Sequence, residues 1–212
     1  MRAVIISNGI IENYEYFKRK IKEDDFVICA DGAIKHCINM HVVPNLWIGD
    51  FDSCDNEEYT QKYSYLKSVP VISLNPQKDE TDTHYACNVA IEKGCTDILI
   101  IGALGKRMDH AISNIGLLEH LLSRGINGRI EDEHNTISVF SDTYISEADR
   151  KYISLIPLDK EVNVKKTDGL LYPLENHIMK RGYSLGISNE KKKNSIVITL
   201  TSGTMLVIES ED

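Results

Sequence analysis

Short apolar runs alternate with longer amphipathic stretches over residues 1–130. The apolar runs predict strands at 3–6, 26–30, 46–48, 69–74 and 97–101. The amphipathic stretches predict helices at 11–21, 33–40, 56–66, 81–93 and 109–123. Strands that are apolar along their whole length are typical of a sheet buried on both faces. Their alternation with helices therefore predicts an α/β domain with a mostly parallel sheet.

The pattern changes near residue 135. Beyond it, short strands are predicted at 136–140, 152–156, 161–164, 184–187, 196–200 and 205–209, with a short helix possible at 174–181. Turn signals such as Thr167-Asp168-Gly169 and Thr201-Ser202-Gly203 separate the strands. We expect an N-terminal α/β nucleotide-binding domain over 1–142, followed by a small antiparallel β-sandwich-like domain over 143–212.

Charge and composition narrow the class of protein. The 212 residues carry a net charge of −8, which argues against generic binding to nucleic acid or to an anionic membrane. No apolar stretch is long enough for a transmembrane helix, and the first residues do not resemble a signal peptide. The five cysteines include no CxxC pair, so we expect reduced thiols and a cytoplasmic location.

The acidic residues are unevenly placed. Residues 1–140 contain 21 acidic and 14 basic residues, whereas residues 141–212 contain 11 and 10. The second part also contains the run Lys191-Lys192-Lys193, which is most simply a solvated turn; the alternative is that it attracts phosphates across an interface. The acidic excess therefore belongs to the predicted α/β domain.

Many of these acids follow predicted strands, where open α/β sheets bind their ligands. Asp31 follows the second strand, and Asp50 and Asp52 follow the third on one side of an extended segment. Asp79 and Asp82 are spaced to share a face in a first helical turn. Converging carboxylates favour Mg²⁺, which typically bridges to phosphates. The alternative is that these acids cap helices and solvate loops.

A glycine-rich segment, 102–110, follows the fifth strand. Backbone N–H groups at a helix start favour anions, and Lys106 and Arg107 add positive charge. The segment is neither a Walker A sequence nor GxGxxG, so ordinary turn geometry is an equal alternative. Asp109 fits either a helix cap or a ligand contact. His110 fits either a structural or a functional role.

Several motifs together carry a family resemblance. They are Asp31-Gly32-Ala33, Gly49-Asp50-Phe51-Asp52-Ser53, Lys78-Asp79-Glu80-Thr81-Asp82, Gly105 to His110 with Asn114, and the C-terminal segments 168–174 and 186–190. The chain resembles the thiamine pyrophosphokinases over nearly its whole length, and bacterial members in particular. It departs from the family at Ala33, Ala103 and Lys106, where glycine is common, and it lacks the tryptophan that fungal and animal members carry after the Ser-Asn-Glu segment.

The resemblance implies a reaction and a set of roles. It implies transfer of a pyrophosphoryl group from ATP to thiamine, with Mg²⁺, in a homodimer whose active sites lie at the subunit interface. Metal ligands would be Asp31, Asp50, Asp52 and Asp82, and the catalytic acids Asp50, Asp52, Asp79 and Asp82. ATP would contact Asn8, Gly9, Asp31, Gly32, Lys78, Thr81, Gly105, Lys106, Arg107, Asp109, His110 and Asn114. Thiamine would contact Ser188, Asn189 and Asp50. The residues do not distinguish Asp50 from Asp52 as acceptor of the hydroxyl proton.

Three other functions compete with this one. The first is a pyrophosphokinase acting on a hydroxymethylpterin, against which Ser188 and Asn189 argue. The second is a non-catalytic thiamine or nucleotide sensor, which has no need for so many retained acids. The third is a dinucleotide-dependent oxidoreductase, but Ser7-Asn8-Gly9-Ile10 stands where its glycine fingerprint belongs.

Overall fold

A computed structural model describes residues 1–51, 56–147 and 149–212. Asp52 and Ser53 lie outside the described residues. The chain divides into two compact units, Met1–Glu133 and His134–Asp212. The division comes earlier than the boundary expected after residue 142, because the strand Asn135–Phe140 pairs along its length with the strand Met205–Ser210 of the second unit.

The first unit alternates strands and helices along the chain, as the apolar pattern predicts. Its described strands are β1 (Arg2–Ile6), β2 (Phe26–Ala30), β3 (Leu46–Gly49), β4 (Val71–Ser73), β5 (Asp97–Ile101) and β6 (Asn127–Glu131). Its helices are α1 (Tyr14–Lys20), α2 (Ile34–Met40), α3 (Asn56–Lys62), α4 (Asp82–Glu92) and α5 (Met108–Ser123), with 3₁₀ turns at Asp31–Ala33 and Ser64–Ser68.

These strands form a parallel sheet in the order β6-β5-β1-β2-β3-β4. The apolar strands β1, β2, β3 and β5 are buried, as expected for strands covered on both faces. On one face, the side chains of Phe17, Met40 and Trp47 pack in a common core with those of the sheet. The predicted α/β architecture is confirmed for this unit, although β6 was not predicted.

The second unit is built from antiparallel strands. They are β7 (Asn135–Phe140), β8 (Thr143–Ser146), β9 (Tyr152–Pro157), β10 (Glu161–Asp168), β11 (Glu175–Lys180), β12 (Asn189–Glu190), β13 (Ile196–Ser202) and β14 (Met205–Ser210). Within the unit, neighbouring strands run in the orders β12-β9-β14-β7 and β11-β10-β13-β8. Buried residues of both sets of strands share one core, which confirms a sandwich-like β-domain.

Two predicted elements of this unit are wrong. The segment 174–181 is not a helix, because β11 pairs with β10 from Glu175 to Lys180 and buries only Met179 among its side chains. The segment 184–187 is a turn, and the strand β12 begins after it, at Asn189. At 175–180, pairing with β10 outweighs the local pattern, whereas at 184–187 the N–H of Ile187 donates to the carbonyl of Ser184 at 3.1 Å and closes a turn. None of the described helices is long and apolar enough to span a membrane.

The lysine run also differs from its expected role. Lys191 is almost buried, and its Nζ lies 3.3 Å from Oε2 of Glu209, whose side chain is 2% exposed. The hydroxyl of Tyr144 donates to Oε1 of the same carboxylate at 2.6 Å. Lys192 is exposed, as a solvated turn requires. Lys191 is therefore one half of a buried ion pair that joins the segment after β12 to β14.

We expect Lys191→Met to destabilise the protein by about 3 kcal/mol, because it leaves a buried carboxylate without its counter-charge. Lys192→Met, at the exposed neighbouring position, is the matched control and should change the free energy of unfolding by less than about 0.5 kcal/mol. Urea unfolding followed by circular dichroism measures both. Equal stability of the two variants would show that the Lys191–Glu209 pair does not stabilise this unit.

Candidate active site

The loops that follow β1 and β5 are held together by three backbone hydrogen bonds. The N–H of Ser7 donates to the carbonyl of Ile101 at 2.9 Å. The N–H of Gly9 donates to Gly102 at 2.7 Å, and that of Ile10 to Leu104 at 2.8 Å. Central parallel strands therefore end in one shared, ordered loop surface, the place where such sheets bind ligands.

Gly9 permits this close approach. A Cβ at position 9 would lie 2.2 Å from the carbonyl oxygen of Leu104 and 2.4 Å from that of Gly102. Both are backbone atoms that cannot move aside without breaking the loop pairing. Position 9 is thus restricted to glycine by the packing of one loop on the other.

His36 supports the same loop through a contact with its backbone. Its side chain is buried, with Nε2 3.0 Å from the carbonyl oxygen of Gly9 and Nδ1 3.0 Å from the hydroxyl of Tyr14. Burial lowers the pKa of His36, which favours the neutral ring. Since a carbonyl can only accept, Nε2–H donates to Gly9, and the Tyr14 hydroxyl donates to Nδ1.

Three carboxylates converge beside these loops. Asp31 follows β2, Asp50 follows β3, and Asp82 is the first residue of α4, which Thr81 caps by accepting from the N–H of His84 at 3.2 Å. One oxygen from each of Asp31, Asp50 and Asp82 lies within 4.8 Å of the others. Such a set of oxygen ligands is suited to a hard divalent cation.

Trp47 fixes the backbone on both sides of this cluster. Its indole is fully buried, and Nε1 donates to the carbonyl of Asp31 at 2.9 Å. The ring also makes an edge contact with Phe51, with centroids 5.2 Å apart. Asp31 and Phe51 have φ values of 46° and 58°, which are unfavourable for residues other than glycine. Trp47 holds two strained residues next to the carboxylates.

Lys78 pairs with two of the three carboxylates, those of Asp50 and Asp82. Its Nζ donates to Oδ2 of Asp50 at 2.8 Å and lies 3.0 Å from Oδ1 of Asp82. Burial opposes the charge on Lys78, but its contacts with Asp50 and Asp82 outweigh burial and raise its pKa. Burial, with the charges of Asp50 and Asp31, raises the pKa of Asp82, although Lys78 acts in the opposite direction.

One oxygen of the cluster is left incompletely bonded. The contact of Lys78 with Oδ1 of Asp82 has an ion-pair distance but not hydrogen-bond geometry. This oxygen is buried and has no hydrogen-bond partner among the described residues. A buried acceptor of this kind can be satisfied by a cation.

The loops and the carboxylates line one cavity of about 730 Å³, large enough for a nucleotide-sized ligand. Most of the predicted site residues line it: Asn8, Gly9, Asp31, Asp50, Lys78, Thr81, Asp82, Gly105, Lys106, Arg107, His110 and Asn114. The amide nitrogen of Asn114 donates to the carbonyl of Ala103 at 2.7 Å, so this residue supports the loop. Acids lie at one side of the cavity, and the glycine-rich loop with its basic residues supplies another part of the wall.

Comparison with known proteins identifies the family. Residues 17–130 match the family model described as thiamin pyrophosphokinase, catalytic domain, and residues 134–205 match thiamin pyrophosphokinase, vitamin B1 binding domain. The chain belongs to the thiamin pyrophosphokinase family. It is 33% identical over 189 residues to the thiamine pyrophosphokinase of Bacillus subtilis (strain 168), covering 87% of each chain.

Solved structures of thiamine pyrophosphokinases share the fold. The crystal structure from Bacillus subtilis matches with a TM-score of 0.91 and 28% identity, covering 100% of both chains. The structure from Geobacillus thermodenitrificans matches with a TM-score of 0.88 and 28% identity, covering 100% of this chain and 98% of that one. Both units of the chain are therefore found together in bacterial thiamin pyrophosphokinases.

Some residues predicted for the thiamin pyrophosphokinase site lie elsewhere. The prediction that Asp79 shares the first turn of a helix with Asp82 is wrong, because α4 begins only at Asp82, and Asp79 is exposed. Asp109 does not cap α5, whose first residue is Met108; instead its carboxylate accepts from Arg107 in an exposed ion pair. Gly32 is buried in the 3₁₀ turn after β2 and does not line the cavity.

The predicted thiamine contacts lie in the second unit. Asn189 is buried, and its side chain accepts from the N–H of Tyr172 at 3.0 Å and donates to the carbonyl of the same residue at 2.7 Å. Ser188 is exposed with φ of 56°, and its N–H donates to Oγ of Ser154 at 3.1 Å. Asn189 thus fixes the segments 168–174 and 186–190 to each other, and the neighbouring Ser188 is exposed.

Among the residues that line the cavity, the polar side chains of Lys35 and Thr83 were not predicted. Lys35 is an exposed cation four positions after Asp31, at the start of α2. Thr83 is buried in the first turn of α4, where its hydroxyl lies 2.9 Å from that of Ser7. A cation one helical turn after a strand-end acid could have indicated Lys35, but the Thr83–Ser7 contact spans 76 positions and left no local signal.

We expect Gly9→Ala to reduce nucleotide turnover by at least about 100-fold, since a displacement of the loop misplaces the bound phosphates. Gly116→Ala, in the exposed middle of α5 with open space around its Cβ, is the control. It should keep activity and gain up to about 1 kcal/mol of stability. AMP release assays and urea unfolding measure these effects. Normal turnover by Gly9→Ala would contradict the role given to the loop pairing.

Proposed function

We propose that this protein transfers the pyrophosphoryl group of ATP to the hydroxyl of thiamine, giving thiamine diphosphate and AMP. The observation that carries the proposal is the cluster of Asp31, Asp50 and Asp82 facing a nucleotide-sized cavity in a chain that matches both family models. Transfer of phosphoryl groups depends chiefly on positioning and on neutralising charge, and the cavity offers residues for both.

The carboxylates fit a magnesium ion. Asp31, Asp50 and Asp82 provide hard oxygen ligands close together, and the buried Oδ1 of Asp82 has no hydrogen-bond donor among the described residues. Asp52, outside the described residues, is proposed as a further ligand from its place in the Gly-Asp-Phe-Asp-Ser motif. When bound, Mg²⁺ supplies charge neutralisation at the transferring phosphates.

The glycine-rich loop is the proposed site of the ATP phosphates. The N-terminus of α5, a helix of 16 residues, opens directly after this loop, and its unpaired N–H groups favour anions. Lys106, Arg107 and Lys35 add positive charge along the same cavity. The backbone and these side chains hold the nucleotide while the acids stand at the reacting end.

Thiamine is assigned to the second unit together with the acids. Ser188 is the proposed direct contact because this residue is exposed, and Asn189 is proposed to position it through the bonds to Tyr172. Asp50 would approach the reacting end of the vitamin. We further propose a homodimer, in which the second unit of one subunit and the acids of its partner complete each site, and a cytoplasmic location.

The test compares two aspartates of one motif. Asp82→Asn should reduce Mg²⁺-dependent AMP release from ATP and thiamine by at least about 100-fold, because an amide cannot replace a charged ligand. Asp79→Asn, at the exposed position three residues earlier, should retain most of the activity. A coupled AMP assay with thiamine, a hydroxymethylpterin and no acceptor measures both variants.

Three outcomes of this assay would contradict the proposal. They are full turnover by Asp82→Asn, AMP release that needs no acceptor, and a preference for the pterin over thiamine. Circular dichroism of each variant controls for loss of fold.

A further inference from the structure

Lys78 occupies the position between two of the three clustered carboxylates. Its ammonium lies 2.8 Å from Asp50 and 3.0 Å from Asp82. The side chains of Lys78, Asp50 and Asp82 are 17%, 12% and 21% exposed, so little water screens the contact. An ammonium ion thus sits where oxygen atoms converge from two chain segments, which is the arrangement a divalent cation uses.

The other basic residues of the cavity are placed differently. Lys35 and Lys106 are exposed and make no ion pair with an acid among the described residues. Arg107 pairs with Asp109 at the surface. Lys78 is therefore distinguished by its contact with the carboxylates themselves, four positions before Asp82 and directly against Asp50.

We infer that Lys78 is a stand-in for the metal ion, which neutralises the carboxylates before substrate arrives and is displaced when the metal enters with the nucleotide. The inference rests on the proposed function for the identity of that substrate. A lysine ammonium on a flexible four-carbon stem can leave a carboxylate pair and contact a phosphate without movement of the backbone. Lys78 already lines the cavity, so a bound phosphate lies within the same space.

This exchange makes the affinity for the free metal ion differ from the affinity for the metal–nucleotide complex. A free divalent cation has to compete with an ammonium that is already paired, so the protein binds the metal alone weakly. A metal–nucleotide complex offers the displaced ammonium a phosphate as a new anionic partner. The complex therefore binds with a smaller loss of electrostatic stabilisation than the free cation does. Lys78 makes the site selective for the metal–nucleotide complex over the bare metal.

The test measures Mn²⁺ binding by calorimetry in the absence of nucleotide. Lys78→Met keeps a side chain of similar length but removes its charge. This variant should bind Mn²⁺ about tenfold more tightly than the unaltered protein. Lys106→Met removes an exposed charge of the same cavity, and it should change the Mn²⁺ affinity by less than about twofold. Unchanged or weaker Mn²⁺ binding by Lys78→Met would overturn the inference.

Thermal unfolding provides a second readout. In EDTA, Lys78→Met and Lys78→Gln should both melt at lower temperature than the unaltered protein, because Asp50 and Asp82 lose the ammonium that pairs with them. Mn²⁺ should raise their melting temperature more than that of the unaltered protein. If both variants fail to fold in EDTA, rescue by Mn²⁺ supports the inference, and failure of rescue contradicts it.

These measurements separate the inference from the proposed function. Tighter Mn²⁺ binding by Lys78→Met together with no acceptor-dependent AMP release by the unaltered protein would support the exchange and contradict the reaction. Thiamine-dependent AMP release with unchanged Mn²⁺ binding by Lys78→Met would support the reaction and contradict the exchange.

Discussion

The mutual repulsion of Asp31, Asp50 and Asp82 is the constraint on which the site depends. Two carboxylate charges 4–5 Å apart repel by about 4 kcal/mol at the effective dielectric typical of such sites. Three such charges within 4.8 Å of one another are unstable unless a cation or a proton intervenes. Lys78 supplies one positive charge, yet burial of Asp82, together with the charges of Asp50 and Asp31, still raises the pKa of Asp82. The arrangement is understandable as a site prepared for a further cation.

The fold brings these charges together by its topology and holds them by strain and packing. Parallel pairing of β2 with β3 places Asp31 and Asp50 at one edge of the sheet. Gly49 allows the close approach, since a Cβ there would lie 2.9 Å from Cα of Asp31. Trp47, buried between the strands and the helices, holds the carbonyl of Asp31 and packs on Phe51. The sheet therefore brings the acids together, and one buried indole fixes the backbone that carries two of them.

Much of the site was predictable because its residues follow strands. The apolar runs located the strand ends, and the end of a parallel strand places Asp31, Asp50, Gly9 and Gly105 at one edge whatever the loops do in detail. Asp82 is the first residue of α4 and joins the cluster, whereas Asp79 lies three residues before the helix and is exposed.

Contacts between segments distant in sequence could not be predicted from local sequence patterns. His36 reaches the carbonyl of Gly9, Lys191 pairs with Glu209, and β11 forms against β10; in each case the partner is distant in sequence. Local propensity is silent about such contacts or, at 174–181, opposes them. Polar residues that support the site without lining the cavity, such as His36, are therefore harder to predict from the sequence than the acids that line it.

The most direct test of this account is the anomalous scattering of Mn²⁺ in crystals grown with a non-hydrolysable ATP analogue. The account predicts a manganese peak bound by Asp50 and Asp82, with the ammonium of Lys78 moved from these carboxylates to a phosphate of the nucleotide. A peak remote from Asp31, Asp50 and Asp82, with Lys78 still paired to both acids, would contradict it.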